Sequence, residues 1–412
     1  MKKQLFTLIV TLLLPSAVAA QGLYDLAPSD EAQESSPISW TAGMNLNYNS
    51  NVTPTVTSGA AGYEDDLMSI GAYLNASMVS ITPQTTWDMF ARIGVNGYLD
   101  SPQAEGTDSF NYQARLGVNL SHRVSERLRF SSRNYIAYEL EPDYTYGFAT
   151  DRQLEEYLHY QTENAVGYRW TERLATYSGF RVRGLLYGSN EDDNDRTKYS
   201  LFHQFRYRAS EQTVWTLGYD YSPVDSSGTA SDSDNHTITV GIEHRFSPNS
   251  VIALKTGTQI RDTDDGASAT TPYLDCAIRT TVNEQFSVRA FARYSIEDYG
   301  TSFDTATYDS NYTLRVGVTA SYIVSPRLTL NAGANVLFTS MEDGRVVDSG
   351  PANGNSIPDA DTELINLFLG CSFEITEGVY ATASYNWTDS SSDIRSRNYN
   401  SHHASLGVAV QF

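Results

Sequence analysis

The stretch Ser405-Leu406-Gly407-Val408-Ala409-Val410-Gln411-Phe412 decides how the rest of the chain is read. Counting back from Phe412, the positions Val410, Val408, Leu406 and Ala404 are apolar at every second residue. Successive side chains of a strand point to opposite faces, so one face of this segment is fit for lipid. Its other face carries Gln411, Ala409, Gly407, Ser405 and His403, which suits a watery interior. The segment predicts a transmembrane β-strand and, since an open sheet edge is not tolerated in hydrocarbon, a closed barrel.

The other end of the sequence agrees. Lys2 and Lys3 precede an apolar run and then the small residues Ala17-Val18-Ala19-Ala20, the pattern of a secretory signal peptide over residues 1–20. The apolar core, about ten residues, is too short for a spanning helix of roughly 20. Residues 21–37 are acidic, contain Pro and Ser, and lack alternation; a short disordered periplasmic lead is expected there. The barrel is expected over 38–412, as a single domain.

Composition fits that reading. The chain has 412 residues and 28 tyrosines against 16 phenylalanines and 5 tryptophans, and amphipathic aromatics belong at membrane boundaries. A mean hydropathy of -0.38 looks soluble, as it must when only alternate residues meet lipid. The net charge of -21 argues against nucleic acid as a partner, because its recognition needs basic surface. Cys276 and Cys371 fall on lipid-side positions of distant strands, which argues against a disulfide between them.

Short polar punctuations recur along the chain: Thr82-Pro83-Gln84, Ser125-Glu126-Arg127, Thr171-Glu172-Arg173, Ser210-Glu211-Gln212, Ser247-Pro248-Asn249, Asn283-Glu284-Gln285, Ser325-Pro326-Arg327 and Thr376-Glu377-Gly378. Longer polar stretches alternate with them, such as 50–64, 141–152 and 341–360. Short periplasmic turns alternating with long outer loops are the signature of an up-and-down outer-membrane barrel. Eight turns and nine loops predict about 18 antiparallel strands (16–18), among them 109–124, 127–140, 285–297, 310–324 and 327–340. Trp40, Trp87, Trp170 and Trp215 all fall on the apolar parity near a turn, as an aromatic girdle would.

The same parity turns arginines inward: Arg92, Arg115, Arg129, Arg133, Arg181, Arg183, Arg206, Arg289, Arg293 and Arg315 are the candidate pore-lining residues. Inward acids include Asp88, Glu163, Asp220, Glu243 and Asp275, while others crowd the outer loops, notably 191–195, 262–265 and 359–363. Two readings follow. Either the arginines form a positive constriction facing acidic loops across a pore, or they pair with wall carboxylates and fill a hollow barrel. Strand parity leaves both open.

Catalytic and cofactor signals are weak. No zinc-type histidine or cysteine spacing, P-loop or dinucleotide fingerprint occurs, so no catalytic residue, metal or cofactor is expected. The Asp-rich 192–195 segment lacks the glycine and spacing of a calcium loop. His159 and Glu163 share the inward face of one strand, the nearest approach to a wall-borne hydrolytic pair. The inward aromatics Tyr73, Phe90, Tyr135, Tyr177, Phe202 and Phe291 are scattered over distant strands rather than stacked as a sugar-guiding ladder.

The mature chain resembles the beta-barrel porin 2 type of outer-membrane protein. That resemblance rests on Gly43-Met44-Asn45-Leu46-Asn47-Tyr48-Asn49-Ser50-Asn51-Val52, on the repeated Ser-x-Arg/Glu turns, and on the closing strand from Tyr399 to Phe412. The terminal aromatic with Leu406, Val408 and Val410 is similar to the insertion signal read by the barrel-assembly machinery. The resemblance implies a porin-like channel in the outer membrane, passing small hydrophilic solutes or ions by passive diffusion. Lipid and lipopolysaccharide would surround it, and a homo-trimer is compatible with it. The alternative is a loop-plugged barrel serving structure, adhesion or polymer export.

Overall fold

A computed structural model of the chain describes residues 35–50, 66–99, 110–140, 156–187, 195–227, 231–297, 302–303, 306–346, 354–394 and 397–412. The proposed signal peptide, most of the lead and the acidic residues 191–194 lie outside these. Among the described residues, twenty strands form one sheet. The first half runs β1 (Ser35–Asn49), β2 (Leu67–Ile81), β3 (Thr85–Tyr98), β4 (Phe110–Arg123), β5 (Leu128–Leu140), β6 (Glu156–Arg169), β7 (Leu174–Tyr187), β8 (Arg196–Arg208), β9 (Thr213–Ser226) and β10 (Ser233–Ser247). There follow β11 (Ser250–Thr263), β12 (Ser268–Asn283), β13 (Phe286–Ile296), β14 (Ser302–Phe303), β15 (Ala306–Ser325), β16 (Leu328–Val346), β17 (Ser356–Ile357), β18 (Ala360–Thr376), β19 (Val379–Ser392) and β20 (Tyr399–Gln411). Two of them, β14 and β17, are two-residue pairings on the outer ends of β15 and β16.

The other eighteen make the wall, each antiparallel to its sequence neighbours, with β13 pairing directly with β15 and β16 with β18. The sheet closes where β1 meets β20: Met44 lies opposite Val408, and Trp40 and Phe412 exchange backbone hydrogen bonds of 3.0 and 2.9 Å. Every strand edge is thereby paired, the condition for spanning hydrocarbon with sheet.

Turn chemistry explains the short connections. The side-chain oxygens of Ser125, Thr171, Ser210, Ser247, Asn283 and Ser325 each accept a backbone N–H from two residues on. Such side-chain turns close a hairpin without a long loop. In the last of the eight, Gly378 takes a positive φ of 76°, which glycine adopts freely.

Burial follows parity. Met44, Leu46, Ile70, Leu74, Val316 and Val318 are exposed on the outside, whereas Thr41, Ser69, Thr313 and Asn366 are buried inside. A soluble protein would invert that order, so the apolar face is the lipid face of an outer-membrane barrel. Trp40, Trp87, Trp170 and Trp215 stand exposed at the turn end. At the loop end tyrosines take over: the hydroxyls of Tyr48, Tyr138 and Tyr221 donate to Asp66, Glu156 and Asp234. Both girdles put an apolar ring toward lipid and a polar tip toward water.

The hairpin of β15 and β16 is the longest, 20 and 19 residues, and overshoots the expected 310–324 and 327–340 at its outer end. Tyr308, Met341 and Ala360 form a small core there with Ile357 and Ile394 packed against it. This part of the hairpin stands above the membrane.

Candidate functional site

Register decides how the inward charges meet. Across adjacent strands Arg92 lies opposite Arg115, Arg123 opposite Arg129, Arg279 opposite Arg289, and Arg293 opposite Arg315. Like charges set directly opposite repel, so each pair needs counter-charge or water. Acids supply part of it. Arg115 pairs with Glu139, and Arg315 holds Glu297 in a two-pronged contact of 2.7 and 2.5 Å. Glu163 sits between Arg181 at 2.6 Å and Arg133 at 3.9 Å. Arg206 reaches over β9 to Glu243 on β10 at 2.7 Å, and both are buried, with Arg206 only 1% exposed. The sequence reading missed Glu139 and Glu297, which lie near the outer ends of their strands where alternation fades into loop.

A second group crosses the lumen. Asp275 on β12 lies opposite Lys255 on β11 and Arg293 on β13. The Arg293 guanidinium stands 6.0 Å from the Tyr273 ring centre, and Arg181 stands 5.4 Å from that of Phe202. Arg181 on β7 repels Arg293, and both are attracted to Asp220 on β9. Glu163, Arg181, Asp220, Tyr273, Asp275 and Arg293 form a charged waist assembled from five strands.

The remaining candidates lie elsewhere. Arg92 lies 4.2 Å from the ring centre of Tyr73, Arg183 donates to Gln161 at 3.2 Å, Arg129 sits beside the turn opening β5, and Arg289 lies four residues nearer the turn end than Arg293. His159 rests against Tyr135, with ring centres 5.8 Å apart, while its strand-mate Glu163 is committed to arginines. Among the described residues no group of histidine, cysteine or acid side chains is placed to hold a metal ion.

The inward aromatics have a structural task that sequence did not reveal. Tyr73, Phe90, Phe202, Phe291 and Phe368 each lie opposite a glycine, respectively Gly43, Gly117, Gly179, Gly317 and Gly333. A Cβ added at Gly117 would lie 2.2 Å from the Phe90 ring, and one at Gly317 the same distance from Phe291. The rings lie flat over bare backbone, which leaves the lumen wider than upright rings would.

Above the waist the wall folds inward. Gln259 on β11 exchanges hydrogen bonds of 3.1 and 3.0 Å with the backbone of Ile296 at the end of β13, skipping β12. Arg261 donates to the Asp309 carbonyl at 2.6 Å. Arg345 on β16 pairs with Asp309 at 3.4 Å and reaches Asp265 and Ser231 on the loops that flank β10 and β11. The overshoot of β15 and β16 thus leans across the mouth. Burial pushes the Asp309 carboxyl up, and Asp343 adds to the shift while Arg261 opposes it.

Leu406, Val408, Val410 and Phe412 are exposed on the lipid side of β20. Cys276 and Cys371 are free thiols on β12 and β18.

No family model and no curated protein matches the sequence. Solved structures similar to the chain are outer-membrane barrels. Acinetobacter baumannii OccAB4 shares 14% identity over 93% of this chain and 100% of its own, with a TM-score of 0.44. Pseudomonas aeruginosa OpdK, solved with vanillate, shares 11% over 92% and 100%, with a TM-score of 0.46. The siderophore receptor PirA of the same organism shares 10% over 90% and 80%, with a TM-score of 0.39. At these scores the architecture rests on the barrel's own pairing and exposure, and the beta-barrel porin 2 resemblance stays one of pattern.

Proposed function

We propose that the barrel is a porin-like channel for passive diffusion of small hydrophilic solutes or ions, filtered at the charged waist. The observation that carries this is the row of inward charges Lys255, Asp275, Arg293 and Arg315 set opposite one another on β11, β12, β13 and β15. Opposed charges across a narrow water path order solutes by charge and dipole as well as by size. Lys255, Arg293 and Arg315 lie in one row with Asp275, and Glu297 pairs with Arg315, so the cations of this row face the acids Glu163 and Asp220 of the other strands and the filter acts as a transverse field rather than a net charge. No covalent step is part of the proposal.

The test is conductance of the refolded full-length chain in planar bilayers. Stable steps are expected, and Arg293→Ser should shift the reversal potential toward cations. Arg315→Ser, which strands Glu297, should lower stability as well. Absence of conductance over a wide voltage range would sink the channel reading.

One observation favours the loop-plugged alternative. Inward Ala137, Tyr157 and Leu185 form a buried apolar cluster at the outer end of β5, β6 and β7. A barrel filled at that level would anchor adhesion or export machinery without conducting, and the same recordings separate the two.

A further inference from the structure

The lipid face of the wall is not uniformly apolar. On β5 and β6, Ser132, Asn134, Thr162 and Asn164 share the outward parity with Phe130, Ile136 and Val166, and register sets Ser132 opposite Asn164 and Asn134 opposite Thr162. Their side chains close a hydrogen-bonded ring. Ser132 donates to Asn164 at 2.8 Å, Asn164 to Thr162 at 3.0 Å, Thr162 to Asn134 at 2.7 Å, and Asn134 back to Ser132 at 3.0 Å. Next to it, outward Ser178 on β7 meets Nδ1 of outward His203 on β8 at 2.6 Å. A groove of about 670 Å³ continues from that pair past Tyr219 and Tyr221 to His236.

Depth makes the ring unusual. Asn134 lies six residues above Leu128, where β5 begins. A tilted strand gains about 2.5 Å of height per residue, so Asn134 sits about 15 Å up an apolar band about 25 Å tall. Hydrocarbon offers no hydrogen-bond partner there. The ring satisfies one donor and one acceptor of each member. Each asparagine has a second amide N–H, which on Asn134 has only the distant Val118 carbonyl at 3.5 Å, and each amide oxygen has a second lone pair.

We infer that this face docks a second copy of the chain about a two-fold axis. The ring offers amide donors and acceptors in equal number and carries no charge, so it is complementary to itself, as an isologous contact requires. Polar side chains between spanning segments favour association for the same reason. The face is also large enough. Four tilted strands, β5 to β8, span about 25 Å, and with a 25 Å band and side-chain relief this approaches the roughly 800 Å² each partner buries in a stable complex.

Cross-linking in native outer membranes tests the inference with the ring intact. In a Cys276→Ser/Cys371→Ser background, Ile136→Cys and Val166→Cys flank the ring, and Val318→Cys marks the wall of β15. A bismaleimide should give a product of twice the chain mass from Ile136→Cys or Val166→Cys and none from Val318→Cys. Asn134→Leu combined with Asn164→Leu should halve the mass in mild detergent while heat-modifiable electrophoretic mobility, the sign of a folded barrel, persists. Equal cross-linking at all three sites, a product containing a different protein, or no product with a monomeric mass for the unaltered chain overturns the inference.

Discussion

Two arginine sites on the same inner wall behave differently. Arg206 with Glu243 is sealed near the turn end, spanning three strands and exposed to almost nothing. Arg293 lies opposite Asp275 on one side and Arg315 on the other, in a row of inward charges where the guanidinium is only half-buried. Inward parity is the same for both. What differs is whether neighbouring side chains close over the charge, and this divides arginines that hold the barrel together from arginines that meet solute.

The largest effect should come from breaking the sealed pair. Arg206→Ala removes the buried guanidinium 2.7 Å from Glu243, and losing one member of such a pair costs about 3–5 kcal/mol. Urea unfolding followed by gel mobility would show it, with ion selectivity of the surviving barrels unchanged. The companion Arg293→Ser should move selectivity, with a smaller loss of stability because buried Asp275 keeps Lys255 opposite it. If both variants shift selectivity equally, the distinction between the sites collapses.

A smaller effect tests the width of the space the waist encloses. Gly117→Val drives Phe90 off the wall, and overpacking of this kind costs about 1–3 kcal/mol. The displaced ring should also lower single-channel conductance. A variant with reduced stability and unaltered conductance would show that Phe90 does not border the solute path.

The smallest effect is expected at the mouth. Asp309 has a folded-state pKa raised chiefly by burial, so the protonated form is favoured in the closed arrangement. For a raised carboxyl, the stabilising contribution is complete below its unfolded pKa and lost as pH rises through the folded value. Mild acid should therefore favour buried, protonated Asp309 at the expense of its pair with Arg345, leaving Arg345 to Asp265 and Ser231 across the mouth and lowering conductance modestly. Asp309→Asn should remove that step in a pH series, while other loop acids continue to titrate.

Much of this was legible in sequence, for a definite reason. Alternation reports the solvent on each face, so strands within the membrane, such as 109–124 against Phe110–Arg123, are placed within a residue or so. Above the membrane both faces of β15 and β16 meet water or protein, alternation loses its meaning, and the extension to Val346 went unread. The waist was legible only in part. Parity turns Arg181 and Arg293 inward, but which charges stand opposite one another depends on the register of the closed wall. The outward ring went unread: four polar residues interrupt the lipid parity of β5 and β6, and only the register of the two strands shows that they close on one another.

The seam between β1 and β20 joins the two strands farthest apart in the chain, with Trp40 and Phe412 in reciprocal contact. A slip of one residue there would turn Leu406, Val408 and Val410 toward water and Ser405 and His403 toward lipid. Closure therefore proofreads itself. A mis-set end strand exposes its own error along its whole length, and the aromatic at the end meets its partner only when every residue before it is in register.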